Sequence, residues 1–137
     1  MDAFQGAILR IKLRYLEQWT KERRAHAARY NELLKDSAVQ TPREIASCRH
    51  VYHVYSVRTP HRDDLQKALQ RRGIQTGIHY PVPVHLQPAY ANLGYKVGSF
   101  PISEKVAQEV LSLPMYAELT DEQIVTVSTA VKEGLDV

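Results

Sequence analysis

Residues 73–90 read Gly73-Ile-Gln-Thr-Gly-Ile-His79-Tyr80-Pro-Val-Pro-Val-His85-Leu-Gln-Pro-Ala-Tyr90. Two glycines, three prolines, two histidines and two tyrosines fall within this run. It is too polar and too often interrupted to be a core element. Pro81 and Pro83 each lack a backbone donor and fix their own φ, so Tyr80 to Val84 reads as a stiff, extended path. A stiff path directly after His79 and Tyr80 singles out those two side chains as held for a purpose.

On the N-terminal side, apolar and aromatic residues recur at mostly three- and four-residue intervals: Phe4, Ile8, Ile11, Tyr15, Trp19, His26, Tyr30 and Leu33. This spacing predicts one long helix from about Asp2 to Lys35. A second apolar line (Ala3, Ala7, Leu9, Leu13, Leu16) makes its first half apolar on more than one side. Such a helix needs partners on both faces. Val51 to Arg58 alternates and predicts a strand. Thr59 and Pro60 read as the cap and first residue of a helix that buries Leu65, Ala68 and Leu69 and stops at Gly73 in a left-handed cap. Ile74 to Ile78 predicts a short strand, Leu86 to Leu93 a short helix or turn, and Ile102 to Leu111 a helix. Leu113 to Tyr116 reads as extended. Thr120 with Gln123 is a capping-box pattern opening a last helix to about Lys132. The expected architecture is a single α+β domain over residues 1–137, with a long N-terminal helix and a sheet of about three strands packed by helices.

Composition excludes several classes of function. The chain has 137 residues, 44% hydrophobic and 24% charged, with a net charge of +3 and a pI near 9.0. The excess charge is dispersed. Its one cluster, Lys21, Arg23, Arg24, His26 and Arg29, is interleaved with Glu17, Glu22 and Glu32, which reads as a solvated, ion-paired helix face rather than a nucleic-acid stripe. No run has the apolar length of a membrane span, and no secretory leader is visible. Cys48 is the sole cysteine, so no internal disulfide forms, which fits a cytoplasmic protein.

Motifs for phosphate loops, zinc and nucleophile elbows are missing. His50 and His53 fall on opposite faces of the expected strand, and His79 and His85 are separated by stiff chain without carboxylate or Cys partners, so neither pair reads as a metal site. His79 and Tyr80 remain the candidate functional residues. Read by spacing alone, the structural reading comes first, with His79 as a hydrogen bonder and Tyr80 as a ring packed on the prolines. Tyr90, Tyr95 and Tyr116 read as packing residues, and Trp19 as a packing residue or interface anchor.

Several ordered stretches together resemble one family. Met1-Asp-Ala-Phe-Gln-Gly-Ala-Ile-Leu-Arg-Ile-Lys-Leu13, Arg23-Arg24 through Asn31, Val51 to Tyr55, the whole of Gly73 to Tyr90, and Ser112-Leu-Pro-Met115 with Leu119 to Gln123 are similar to the C-terminal small domain of the DegT/StrS-type nucleotide-sugar aminotransferases. These are pyridoxal-phosphate (PLP) enzymes of the type I aminotransferase fold. Gly6 stands where that family usually has alanine, and Ala117 where proline is common.

The resemblance implies a PLP-binding large domain, with a catalytic lysine in a Ser-x-x-Lys context, that is absent from this chain. Lys12, Lys21, Lys35, Lys67, Lys96, Lys105 and Lys132 all lack that context. It further implies that His79 and Tyr80 contact the sugar or phosphate part of a nucleotide-linked sugar, and that no catalytic or cofactor-binding residue lies here. The expectation is the C-terminal domain, or a truncated form, of an enzyme that moves an amino group from glutamate to a keto nucleotide sugar. Alone it would be inactive and would bind no PLP. It would homodimerise through the first helix, with a PLP domain as partner in cis or in trans, and with neither nucleic acid nor membrane as partner. The alternative is a stand-alone, non-catalytic binding or dimerisation module derived from that domain.

Overall fold

The computed structural model describes residues 2–135. Helices α1 (Ala3–Lys12) and α2 (Leu16–Leu33) are followed by strand β1 (Tyr55–Arg58) and helix α3 (Arg62–Arg71). Two 3-10 turns, Val84–Leu86 and Pro88–Leu93, lead to α4 (Pro101–Glu109), β2 (Val110–Leu113) and α5 (Asp121–Glu133). The strands pair antiparallel, with Tyr55 opposite Leu113 and Ser56 opposite Ser112. The core lies between this ribbon and helices α2, α3 and α5. Tyr30, Tyr55, Leu65, Leu69, Leu111, Ile124 and Val131 are fully enclosed in it.

The two core tyrosines show how the sequence joins helix to sheet. Their rings stack with centroids 4.8 Å apart. Each hydroxyl finds an acceptor: Tyr30 donates to the Pro114 carbonyl at 3.1 Å and Tyr55 to Asn31 Oδ1 at 2.7 Å. Burial raises both phenol pKa values, so both remain neutral donors at physiological pH.

The expected α+β architecture is present, with differences in detail. The long N-terminal helix is two helices, because residues 13–15 tighten into bonds of shorter span: Arg14 N–H to Ile11 O at 3.2 Å and Tyr15 N–H to Lys12 O at 3.0 Å. No glycine or proline marks this break. α1 buries none of its residues, so neither of its apolar lines meets the sheet. The first strand begins at Tyr55 rather than Val51, because Tyr52 has a φ of 47° and its N–H bonds His50 Nδ1 at 2.9 Å. His50 and His53 therefore lie outside the strand. The third expected strand shrinks to one bridge, in which Gly77 and Ser112 exchange N–H···O bonds of 3.1 and 2.7 Å. α3 starts two residues late: Thr59 is buried and accepts from His61 N–H at 3.3 Å, while His61 occupies the cap position. α4 stops at Glu109, and the extended segment begins at Val110 rather than Leu113.

Other expectations hold. Gly73 follows α3 in the left-handed region at φ 73°. The capping box of α5 is closed, with Thr120 Oγ1 accepting from Gln123 N–H and Gln123 Oε1 from Thr120 N–H. The basic face of α2 is ion-paired only in part as expected: of the three acids, Glu32 alone pairs with the cluster, and Arg23 donates instead to the His53 and Met115 carbonyls. Arg29 holds Glu32 and Asp121, and Arg24 holds Glu44. Glu17 pairs with Arg49 from the following loop, and Glu22 accepts from Gln18. Arg24 and the His50 N–H hold the Glu44 carboxyl well below its ordinary range, down to about 2. No described helix is long and apolar enough to cross a membrane.

Removing the closed cap should be measurable. Thr120→Ala is expected to lower the unfolding free energy by about 1 kcal/mol, read from the shift of the urea midpoint at unchanged slope.

Candidate functional site

Ser112 is buried at the centre of β2 and is where the stiff segment meets the sheet. Its backbone bonds Gly77 on one side, and its hydroxyl bonds Ser56 Oγ at 2.8 Å and His79 Nδ1 at 3.0 Å. With Nδ1 engaged, Nε2 is the ring nitrogen left for a ligand, whichever way the hydrogens of the serine chain run. A Cβ at Gly77 would come within 2.7 Å of His79 Cε1. Glycine there leaves the imidazole the space it occupies. The following His79–Tyr80 peptide is cis. The Tyr80 ring meets His79 edge to face at 5.5 Å and is otherwise 73% exposed.

These two side chains form one end of a cavity of about 680 Å³. Its floor is α4, through Ile102, Ser103, Val106 and Ala107. Its far wall is the loop after the second 3-10 turn, with Tyr95 and Phe100, and His85 from the first turn. Phe100 meets His85 at 4.8 Å and Tyr95 at 5.0 Å, both edge to face. Sequence reading placed Tyr90 and Tyr95 among packing residues, yet both line this cavity and are about half exposed.

The far wall is tied down by Glu104, which the sequence reading missed. Its carboxylate accepts Gly98 N–H at 2.9 Å, Phe100 N–H at 3.2 Å and His85 Nε2 at 3.0 Å. The Gly98 N–H is the largest cause of a lowered Glu104 pKa, with Phe100 and His85 adding to it against desolvation. An ionised carboxylate only accepts, so His85 Nε2 carries hydrogen and Nδ1 is left as the free ring nitrogen. Gly98 adopts φ 90°, which lets the loop turn its N–H onto the carboxylate. The signal available in sequence was Pro101 at a helix start with an acid three residues on, a first-turn position for carboxylates. His79 and His85 thus line one cavity but are bonded to different partners. Among the described residues, no group of three His, Cys, Asp or Glu side chains is placed to hold a metal.

A helix-covered two-stranded ribbon presenting a one-sided, aromatic-rich wall is the class of domain that these observations define. Over residues 1–132 the chain matches the model of the DegT/DnrJ/EryC1/StrS aminotransferase family, and it belongs to that family. A pleiotropic regulatory protein of Geobacillus stearothermophilus is 49% identical across 90% of this chain and 34% of its own length. The dTDP-3-amino-3,4,6-trideoxy-α-D-glucose transaminase of Streptomyces venezuelae is 42% identical across 97% of this chain and 35% of its own length. The crystal structure of S. venezuelae DesV in complex with a ketimine intermediate superimposes with a TM-score of 0.94 at 42% identity, over 100% of this chain and 38% of that one. The chain therefore spans about a third of the length of the relatives it matches.

The family is one of PLP-dependent aminotransferases. The cavity does not fit that cofactor. Its lining includes no lysine for an imine, no acid for a pyridinium nitrogen and no arginine or lysine for a phosphate.

Two outcomes are expected. Gly77→Ala should push the imidazole off Ser112, read as a change in the His79 ring ¹⁵N resonances while far-ultraviolet circular dichroism stays native. The Glu104 pKa is lowered on folding, so its stabilising contribution is complete above the ordinary carboxyl value and is lost as pH falls through the lowered one. Amide exchange in residues 94–100 should accelerate across that acidic window, and Glu104→Gln should abolish the dependence.

Proposed function

We propose that this chain is the C-terminal small domain, or a truncated form, of a PLP-dependent aminotransferase that transfers an amino group from glutamate to a keto nucleotide sugar. The single observation that carries this reading is the half-built cavity: His79 and Tyr80 are fixed at its edge in a chain of this family, while nothing in its lining can hold the cofactor. The cofactor and its lysine would come from a large domain in cis or in trans. The domain's part is to close over the site, exclude water and hydrogen-bond the substrate. His79 would offer Nε2, and Tyr80 its exposed hydroxyl, to the sugar or phosphate portion of the nucleotide sugar. The protein acts in the cytoplasm in this reading, and by itself it neither binds PLP nor turns over.

The uncovered first helix supports homodimerisation. Phe4 is 75% and Leu13 65% exposed, and Ile11, Tyr15 and Leu16 are exposed beside them. An apolar line of this length on a monomer marks an interaction surface. A stand-alone dimerisation module derived from the same domain is the second reading, and the same helix supports it.

In the enzyme completed with its PLP-binding domain, His79→Ala and Tyr80→Phe should each lower kcat/KM for the nucleotide sugar by about 10- to 100-fold, the value of one lost substrate hydrogen bond. An unchanged kcat/KM in both would defeat the assignment. Sedimentation of the isolated chain should give a dimer at micromolar concentration, and Leu13→Glu should shift it toward monomer. Borohydride treatment with PLP should leave no single lysine specifically modified. A unique adduct would contradict the reading.

A further inference from the structure

Strand β1 reads Tyr55-Ser-Val-Arg58, and its tyrosine and valine go into the core. The serine between them lies on the opposite face and has no part in the function read above. Resting on that reading, we propose that Ser56 is a positioning residue: acting through Ser112, it holds neutral His79 in the tautomer with hydrogen on Nε2, so that His79 meets an acceptor oxygen of the substrate as a donor and does not take a proton from a hydroxyl.

Three observations carry this. The first is the register. Both backbone groups of Ser112 are taken by Gly77, its N–H at 2.7 Å and its carbonyl at 3.1 Å. Opposite Ser56 it therefore forms the kind of pair that exchanges no backbone bonds and brings its side chains closest. The two hydroxyls meet at 2.8 Å, and Ser112 Oγ continues to His79 Nδ1 at 3.0 Å. The second is the count of hydrogens. Each hydroxyl has one to give, and a neutral imidazole has one N–H. The chain can run two ways. If Nδ1 carries the hydrogen, it donates to Ser112 and Ser112 donates to Ser56. The Ser56 hydrogen is then left over, because among the described residues Ser56 Oγ bonds only Ser112. If Ser56 starts the chain, it donates to Ser112, Ser112 donates to Nδ1, and no hydroxyl hydrogen is left over. Ser56 is half-buried, and an unpaired donor there makes the first run the costlier one. In the second run each hydroxyl also polarises the next. Ser112 alone could serve His79 in either direction, so the choice belongs to Ser56. The third is the free nitrogen. His79 is exposed, and its Nε2 makes no bond among the described residues. The nitrogen that carries the hydrogen is the one open to a ligand.

The test is the ¹⁵N spectrum of the His79 ring in the 137-residue chain, recorded at mildly alkaline pH, where an ordinary imidazole is neutral, and assigned by its loss in His79→Gln. Nε2 should resonate as a hydrogen-bearing ring nitrogen and Nδ1 as a bare one. Ser56→Ala should lower the ratio of the two tautomers about fivefold, the value of one hydrogen bond, and draw the two resonances toward each other while far-ultraviolet circular dichroism stays native. Ser56→Thr keeps the hydroxyl and should restore the wild-type pattern. A role in packing alone would change stability without moving the ring nitrogens. Hydrogen on Nδ1 in the unsubstituted chain would overturn the proposal, even if no variant folds. Unmoved ring nitrogens in Ser56→Ala would overturn it too, as would a threonine variant that behaves like the alanine one. None of these decides whether His79 touches the substrate, which is read separately from kcat/KM of His79→Ala in the completed enzyme. Loss of that contact would leave the tautomer, and the hold of Ser56 on it, in place.

Discussion

The site depends on what Ser112 does at the centre of β2. One buried residue pairs with β1 through Ser56, with the incoming stiff segment through Gly77, and with His79 through its hydroxyl. A buried hydroxyl must find partners. Here the partner it finds is the imidazole of the candidate site. Core formation and placement of His79 are thus one event: the ribbon cannot take its register without presenting Ser112 to both Gly77 and His79. The small residues are part of this. Gly77 gives the imidazole room, and two serines rather than larger side chains face one another across the ribbon, so the imidazole reaches the strand itself.

Much of this was legible in the sequence, and the limits have physical causes. Apolar spacing was informative for α2 and α3, which bury Ala27 and Tyr30, and Leu65 and Leu69, whereas α4 buries only Ala107. The Thr120 to Gln123 box and the Gly73 stop were legible because capping chemistry is local. What failed was non-local. The break at residues 13–15 carries no breaker residue, and α1, with no buried face, shows the same apolar spacing as a helix that packs. Alternation from Val51 promised a strand, yet one backbone turn at Tyr52, stabilised by the His50 ring, removed half of it. The expected third strand became a single bridge because the chain must leave the sheet at once to place His79 above Ser112.

At the site, His79 and Tyr80 stood out because prolines stiffen the chain beyond them. His85 was seen only as an unlikely metal ligand, and Glu104 was not seen at all. Their pairing joins residues 19 apart across two turns that no periodicity describes. Tyr95 and Phe100 owe their exposed ring edges to that pairing. A lone aromatic in a glycine-rich loop reads as packing until the acid that holds the loop is known.

Both ends of the cavity are therefore fixed from behind by groups that do not face it. His79 is held by a serine of the sheet, and the far wall by a carboxylate whose partners are mostly backbone N–H groups. Neither restraint needs a bound molecule or a second domain to form. The wall is prepared before anything meets it, which lowers the ordering cost of binding for whatever completes the cavity. The same arrangement divides the labour of the family's chemistry. A wall without charge cannot bind a cofactor phosphate or activate an amine, but it can exclude water and set orientation. Charged pairs elsewhere in this chain, such as Arg24 with Glu44 and Arg29 with Asp121, join its helices and loops instead. In the function proposed above, reactivity comes from the surface that closes against this one, and the domain's own contribution is geometry.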